Sequence, residues 1–154
     1  KKIGGPMSGQ TIYEKYGGFE FWHHCIYDLY LDMFDHPEIS YHFIGVNIIT
    51  LSTHQAQFLS PAIGGPVLYK GPPMKLVHKD LDISEFQFAE IAKAFAQVFR
   101  DNGVEEKDVL HIMKFVGSFQ KAITSSKVNL IDEIMRPFYS FVEWLTKFGK
   151  AKEE

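Results

Sequence analysis

The chain has 154 residues, a length that suits one domain with one hydrophobic core. It is 45% hydrophobic and 15% aromatic, as in a globular protein, and its net charge of -3 gives no reason to expect nucleic acid or an anionic membrane as a partner. A single cysteine, Cys25, excludes an intrachain disulfide and fits the cytoplasm, and no apolar run approaches the roughly 18 residues of a membrane span.

Apolar side chains recur at helical spacings of three and four residues, whereas the alternation typical of strands is nearly absent. A first clear helix follows Gly17-Gly18 and ends near Pro37. A second helix follows Asn47 and is stopped by Pro61 and Gly64-Gly65. These two segments predict the first half of an all-α chain.

The second half continues the helical pattern after a loop rich in Gly and Pro at residues 63–73. Residues 74–79 are too few to make a stable helix unless something else holds them. Ser84 with Gln87 predicts a capping box at the start of the next helix, which ends at residues 101–103. A further helix has its apolar residues at Val109, Ile112, Met113, Val116 and Ile123.

The last thirty residues are amphipathic but unusually apolar for a solvated helix. Pro137 should kink this helix or split it. Such an apolar face needs a partner, so we expect it to pack either on its own domain or on a second copy of the chain in a homodimer. The pattern leaves both open, and a monomer and a homodimer are both compatible with it.

The predicted second helix carries two polar side chains, His54 and Gln55, on its apolar face. The rest of that face consists of Leu51, Phe58 and Leu59. The preceding helix places the hydroxyl of Tyr30 within an apolar stripe. Polar groups that converge from two helices indicate a small-ligand site in an apolar cavity, because burying them without partners is costly. A buried Tyr, Gln or His also commonly bonds only a nearby carbonyl, so this pattern alone leaves both interpretations open.

Other kinds of site find less support in the sequence. His23 and His24 are adjacent, point to different helix faces and cannot chelate one ion together. No His-x-x-x-His or Cys-x-x-Cys pair supports a structural zinc site. Cys25 lies on an apolar helix without a Gly-rich turn that would expose it as a nucleophile. The histidines assigned to the surface or the rim of a site are His36, His42 and His111.

An ordered set of short motifs runs through the chain. It consists of TIYEKYGG at 11–18, Leu29-Tyr30, Asp35-His36-Pro37, His42-Phe43, THQAQFL at 53–59, GGPVLYKG at 64–71, MKLVHK at 74–79 and Phe88. In this order and spacing the set resembles the group I truncated haemoglobins. The resemblance implies an all-α, truncated two-over-two globin helical sandwich at residues 11–124. Residues 1–10 would then be an N-terminal extension and residues 125–154 an additional C-terminal amphipathic helix.

The resemblance also implies a cofactor, haem b (iron protoporphyrin IX), with His78 as the proximal ligand of the iron. The other ring nitrogen of His78 should donate to a backbone carbonyl. Phe43 would stack on the porphyrin, and Tyr30 and Gln55 would hydrogen-bond iron-bound dioxygen on the distal side. The remaining pocket residues would be Leu51, Phe58, Leu59 and Tyr69, with Met74, Val77, Ile83, Phe88 and Ile91 on the proximal side and Lys70 or Lys79 at a propionate.

The function implied by the resemblance is binding of dioxygen, nitric oxide and carbon monoxide, with nitric oxide dioxygenation as a further activity aided by an external reductase. His54 leaves an alternative open. In some family members a histidine here ligates the iron and gives a six-coordinate, bis-histidine haem, which suits a gas or redox sensor or an electron-transfer protein. Otherwise His54 would lie at the pocket mouth. A haem-free interaction module is a third alternative, which His78 disfavours.

Three positions depart from the family pattern. Leu29 stands where the family often has Phe, and Gln87 stands where it often has His. Pro61 lies near the end of the predicted distal helix and should shorten it.

Overall fold

A computed structural model describes residues 9–125, and the structural statements below concern that part of the chain. It contains seven α-helices and two short 3-10 turns, with one isolated bridge between Ile83 and Thr124. The helices are α1 (Ile12–Lys15), α2 (Phe19–Phe34), α3 (Ile48–Leu59), α4 (Met74–His78), α5 (Glu85–Asp101), α6 (Glu106–Gly117) and α7 (Gln120–Ile123). The 3-10 turns are Ser40–Phe43 and Ser60–Ile63.

The all-α fold predicted from the sequence is confirmed. None of the helices in the described part is long and apolar enough to cross a membrane. The predicted C-terminal helix and the kink at Pro137 fall on residues 126–154, outside the described residues, as does most of the predicted N-terminal extension.

Several helix ends follow from capping residues that the sequence makes visible. The side chain of Asn47 accepts a backbone N–H in the first turn of α3 at 3.0 Å. Ser84 and Gln87 form the predicted capping box of α5, each side chain bonding the backbone N–H of the other. Helix α3 ends at Leu59, and Pro61 lies in the 3-10 turn Ser60–Ile63 that follows, because a proline ring cannot continue the α-helical hydrogen-bond ladder. The predicted end of this helix at Pro61 is thus confirmed, and its shortening relative to the family stays a prediction.

The prediction of one continuous helix through Val109 and Ile123 is wrong. The structure divides this stretch into α6 and α7 at Ser118 and Phe119. The hydroxyl of Ser118 donates to the carbonyl of Phe115 at 2.6 Å, a local bond that competes with helix propagation. Apolar periodicity does not register this break, because α6 and α7 both present apolar residues to the same interior.

Two helix pairs, α2 with α3 and α5 with α6, form the core and meet where α2 packs on α5. Trp22, Ile26 and Phe99 are each at most 1% exposed in this contact. The rings of Trp22 and Phe99 meet edge to face with centroids 5.7 Å apart. Cys25 is fully buried in the same core, where burial raises the pKa of its thiol to about 12. The thiol is therefore unsuited to act as a nucleophile.

Two polar networks fix the segments around this core. Asp108 of α6 accepts hydrogen bonds from Lys15 Nζ at 2.7 Å and from the Tyr16 hydroxyl at 2.6 Å, which ties the α1 region to α6. Gln87 of α5 is 1% exposed and donates to the hydroxyl of Tyr41 at 2.8 Å and to a backbone carbonyl at 3.1 Å. The second network anchors the 3-10 turn after α2 to the start of α5.

Candidate functional site

A cavity of about 390 Å³ lies among the helices, within the range of roughly 300–1,000 Å³ that is typical of small-molecule pockets. Most of its walls are apolar, with a few polar side chains. The predicted site residues that line it are Tyr30, Phe43, Leu51, His54, Gln55, Phe58, Leu59, Tyr69, Met74, Val77, His78, Ile83, Phe88 and Ile91. Lys70 and Lys79 are exposed and are not among the lining residues, so their contact with a propionate stays a prediction.

Sequence reasoning missed part of the lining. His42, assigned above to the surface or rim, is half-buried and lines the cavity. The other lining residues without a prediction are Ile26, Ile39, Val46, Leu81, Ala92, Phe95, Phe99, Ile112, Phe115, Val116, Phe119 and Ile123. For two of them the sequence held a signal, because Phe115 and Phe119 are four residues apart, a spacing at which side chains on a helix meet. In the structure their ring centroids are 5.0 Å apart.

His78 is the last residue of α4 and is half-buried at the cavity wall. Its Nδ1 lies 2.7 Å from the carbonyl oxygen of Met74, one turn earlier. A carbonyl oxygen can only accept, so Nδ1 carries the proton and Nε2 is the basic nitrogen of the ring. The structure therefore contains the backbone hydrogen bond predicted for His78, and it leaves Nε2 able to ligate a metal ion.

Helix α4 is too short to be stable on its own, and it packs mainly against α7. The backbone N–H groups of Leu76 and Val77 bond the carbonyl of Pro73, which begins the turn. Val77 lines the cavity yet is 42% exposed, and Leu81, three residues beyond the helix, is 36% exposed there. A large apolar group in the cavity would cover these side chains and stabilise α4, so the residues present fit a haem.

Tyr30 and Gln55 bring polar groups into the cavity from α2 and α3, as the helix pattern predicts. Tyr30 is 8% exposed, and within the described residues neither side chain makes a hydrogen bond. Burial raises the pKa of the Tyr30 hydroxyl well above its usual range, so the group stays protonated and can donate. Two donors without protein partners in an otherwise apolar cavity indicate a ligand that accepts hydrogen bonds there.

Phe43 reaches the cavity from the 3-10 turn that follows α2. Its ring stacks on Phe34 with centroids 5.2 Å apart and meets Tyr30 edge to face at 5.7 Å. The neighbouring His42 contacts the carbonyl oxygen of the Gln87 side chain through Nε2 at 3.3 Å. These contacts fix the turn that presents the aromatic ring, the side chain predicted to stack on the porphyrin.

His54 lies at the mouth of the cavity. It is exposed, whereas Gln55, which the helix pattern places on the same face, is half-buried. In the loop after α3, the ring of Tyr69 contacts the ring of His54, with centroids 6.3 Å apart. This contact leaves His54 exposed. His54 is thus exposed and also lines the cavity, and its ligation of the iron stays a prediction.

Comparison with known proteins gives consistent results. The family model described as bacterial-like globin matches residues 11–125. A group 1 truncated hemoglobin from Mycolicibacterium paratuberculosis is 27% identical over 121 residues, covering 79% of this chain and 89% of that protein. A group 1 truncated hemoglobin from Tetrahymena thermophila is 25% identical over 111 residues, covering 72% and 92%. The crystal structure of truncated hemoglobin from Tetrahymena pyriformis in the Fe(III) form has a TM-score of 0.70 and 25% identity, covering 76% of this chain and 100% of that chain.

These matches confirm the resemblance to group I truncated haemoglobins and the two-over-two fold. Globins bind haem and, in general, diatomic gases, and that general function holds for this chain. The chain belongs to the bacterial-like globin family, in the truncated form of the fold.

Proposed function

We propose that this chain holds haem b in the described cavity through His78 and binds dioxygen, nitric oxide and carbon monoxide at the iron. The observation that carries the proposal is the bond from His78 Nδ1 to the Met74 carbonyl, which leaves Nε2 as a neutral ligand atom. When bound, haem supplies the iron that takes the gas and, in its ferrous form, the electron needed to convert nitric oxide and dioxygen to nitrate, after which an external reductase restores the iron.

The walls of the cavity support this proposal through their apolar character. Phe43 is held by two other rings, and Met74 and Phe88 are each 8% exposed. Such walls exclude bulk water from the site and strengthen the few polar contacts inside it. The other side chains proposed to contact the cofactor are Leu51, Phe58, Leu59, Tyr69, Val77, Ile83 and Ile91, with Lys70 or Lys79 reaching a propionate from the surface.

Tyr30 and Gln55 are proposed to stabilise the gas. Both side chains line the cavity without a hydrogen-bond partner among the described residues, and the Tyr30 hydroxyl stays protonated. A hydroxyl and an amide N–H donate best to a ligand that carries partial negative charge, as dioxygen does at ferrous iron. This arrangement should raise the affinity for dioxygen more than that for carbon monoxide, because the donors have less charge to stabilise on carbon monoxide.

The test is the variant His78→Gly, purified after expression with haem supplied. We expect a large loss of the Soret band, since the side chain that ligates the iron is gone, and its partial return when free imidazole is added. His111→Gly is a matched control, because His111 is exposed and bonds the carbonyl of Ala62 away from the cavity. A normal Soret band and an unchanged ferrous spectrum in His78→Gly would contradict the proposal.

A second function is favoured by one observation, the position of His54 in the lining of the same cavity. An imidazole there would be available as a second histidine ligand of the iron in addition to His78, and a bis-histidine haem suits sensing or electron transfer. Visible spectra of the ferric and dithionite-reduced protein separate the two functions. Low-spin spectra in both states that become high-spin in His54→Ala support the second. High-spin ferrous haem that His54→Ala leaves unchanged supports gas binding at an open site.

A further inference from the structure

We propose that Tyr69 is a positioning residue that holds His54 at the mouth of the cavity and so opposes its ligation of the iron. The inference rests on the proposed function, because it concerns coordination at a haem iron held by His78. It assigns to the loop after α3 control over how open the gas site is.

The position of Tyr69 is fixed by three contacts. Its hydroxyl donates to the carbonyl of Pro72 at 2.7 Å. Its ring lies so close to Gly71 that a Cβ at that residue would be 2.5 Å from the ring atom Cζ. The ring also meets Phe58 of α3 edge to face, with centroids 5.3 Å apart and planes at 89°. The ring cannot turn away from its place without breaking at least one of these contacts.

His54, by contrast, is held weakly. Within residues 9–125, His54 makes one ring contact, edge to face with Tyr69, with centroids 6.3 Å apart and planes at 76°. It makes no hydrogen bond or ion pair there. The histidine is exposed at the surface and also lines the same cavity as His78. Its imidazole therefore has two places to go, against the ring of Tyr69 or toward the iron. An aromatic pair of this geometry changes such an equilibrium by about two- to tenfold.

Variants of Tyr69 test this in the ferric holoprotein. In Tyr69→Ala and Tyr69→Leu we expect the ratio of low-spin to high-spin haem, from visible and electron paramagnetic resonance spectra at mildly acidic pH, to rise about two- to tenfold. The double variant Tyr69→Ala with His54→Ala should return to the high-spin spectrum. Tyr69→Phe keeps the ring and should match the wild type. Tyr27→Ala is the control, since Tyr27 does not line the cavity.

A second measurement is the rate at which azide binds the ferric iron. It should fall in Tyr69→Ala and Tyr69→Leu and recover when His54 is also replaced, because a ligating His54 must leave before azide can bind. Tyr69→Leu retains apolar bulk in the loop, so agreement between it and Tyr69→Ala separates loss of the ring contact from collapse of the loop.

Several outcomes would overturn the inference. These are a wild type that is already fully low-spin, a Tyr69→Ala spectrum identical to the wild type, a low-spin form that survives in the double variant, and a Tyr69→Phe variant as low-spin as Tyr69→Ala. In each of these the haem is bound, so the proposal that His78 holds haem in the cavity stands. The proposed function fails instead if neither the wild type nor any variant shows a Soret band, or if His78→Gly keeps a normal one. The inference about Tyr69 then fails with it.

Discussion

Replacing Tyr30 by Phe removes one oxygen atom from the cavity and leaves the ring in place. Tyr30 is buried, with 8% of the residue exposed, and within the described residues its hydroxyl has no hydrogen-bond partner. Its removal therefore orphans no protein group, and the free energy of unfolding of the protein should hardly change. What should change is the binding free energy of a gas that accepts a hydrogen bond from this hydroxyl.

The size of that change follows from the environment of the donor. A hydrogen bond to a charged acceptor contributes about 1.5–3 kcal/mol, and the dry apolar walls around Tyr30 keep water from replacing it. Since about 1.4 kcal/mol corresponds to a factor of ten, dioxygen should dissociate about 10- to 100-fold faster from Tyr30→Phe. Carbon monoxide should dissociate at nearly the wild-type rate, because it has less charge to stabilise.

The assay is stopped-flow replacement of dioxygen by carbon monoxide, followed at the Soret band. Tyr27→Phe is a matched control, because it removes a tyrosine hydroxyl from α2 outside the cavity lining. If dioxygen leaves Tyr30→Phe at the wild-type rate, or if carbon monoxide release accelerates equally, the hydroxyl does not act as a donor to the gas. The proposed role of Tyr30 is then wrong.

Four further predictions concern stability and are measured by urea unfolding of the holoprotein. Tyr16→Phe should lower the free energy of unfolding by about 1–3 kcal/mol, because its hydroxyl bonds buried Asp108 at 2.6 Å. Burial raises the pKa of Asp108, but its hydrogen bonds outweigh this and hold the pKa below its usual range. The contribution of Asp108 to the free energy of unfolding should therefore be present above the unfolded-state pKa of about 3.9 and be lost as the pH falls below it. A free energy of unfolding that does not change with pH in this acidic range would contradict this. Gly64→Ala should lower the free energy of unfolding by about 1–3 kcal/mol more than Gly45→Ala. Both glycines have positive φ, but of the two only a Cβ at Gly64 would meet another side chain, at 2.6 Å. Equal losses in the two variants would contradict the clash. Gln87→Leu should lower the free energy of unfolding by about 1–3 kcal/mol, because it orphans buried backbone groups, and an unchanged midpoint would show that water replaces them.

The parts of the fold that the sequence predicts are those that local chemistry decides. Asn47 caps α3 and Ser84 caps α5 because a short polar side chain bonds a backbone N–H within the first turn, which any chain segment can do alone. Pro61 ends α3 for an equally local reason. The break at Ser118 escapes prediction because the apolar spacing continues through it and only a hydroxyl bond marks it.

The candidate site and the polar networks around it divide into local and long-range contacts in the same way. His78 and its bond to Met74 lie within one helical turn, so the sequence carries both partners together. Gln87 stands out in the sequence only as a departure from the family pattern. Its bonds to Tyr41 and to the carbonyl of Glu38 join residues more than forty positions apart, which no local pattern encodes. The same holds for Asp108 and Tyr16, whose contact spans 92 positions.

The exposure of His54 shows why long-range contacts decide the open question about this site. A helical pattern assigns a residue to a face, but the boundary between buried and exposed on that face depends on what packs over it. Here the boundary falls between His54 and Gln55, and the packing partner is the ring of Tyr69, fifteen positions away from His54. The ring of Tyr69 is itself placed by Gly71 and Pro72, so a loop without helical periodicity sets the position of a residue on α3. If our proposal holds, the number of iron ligands depends on this loop as much as on the histidine.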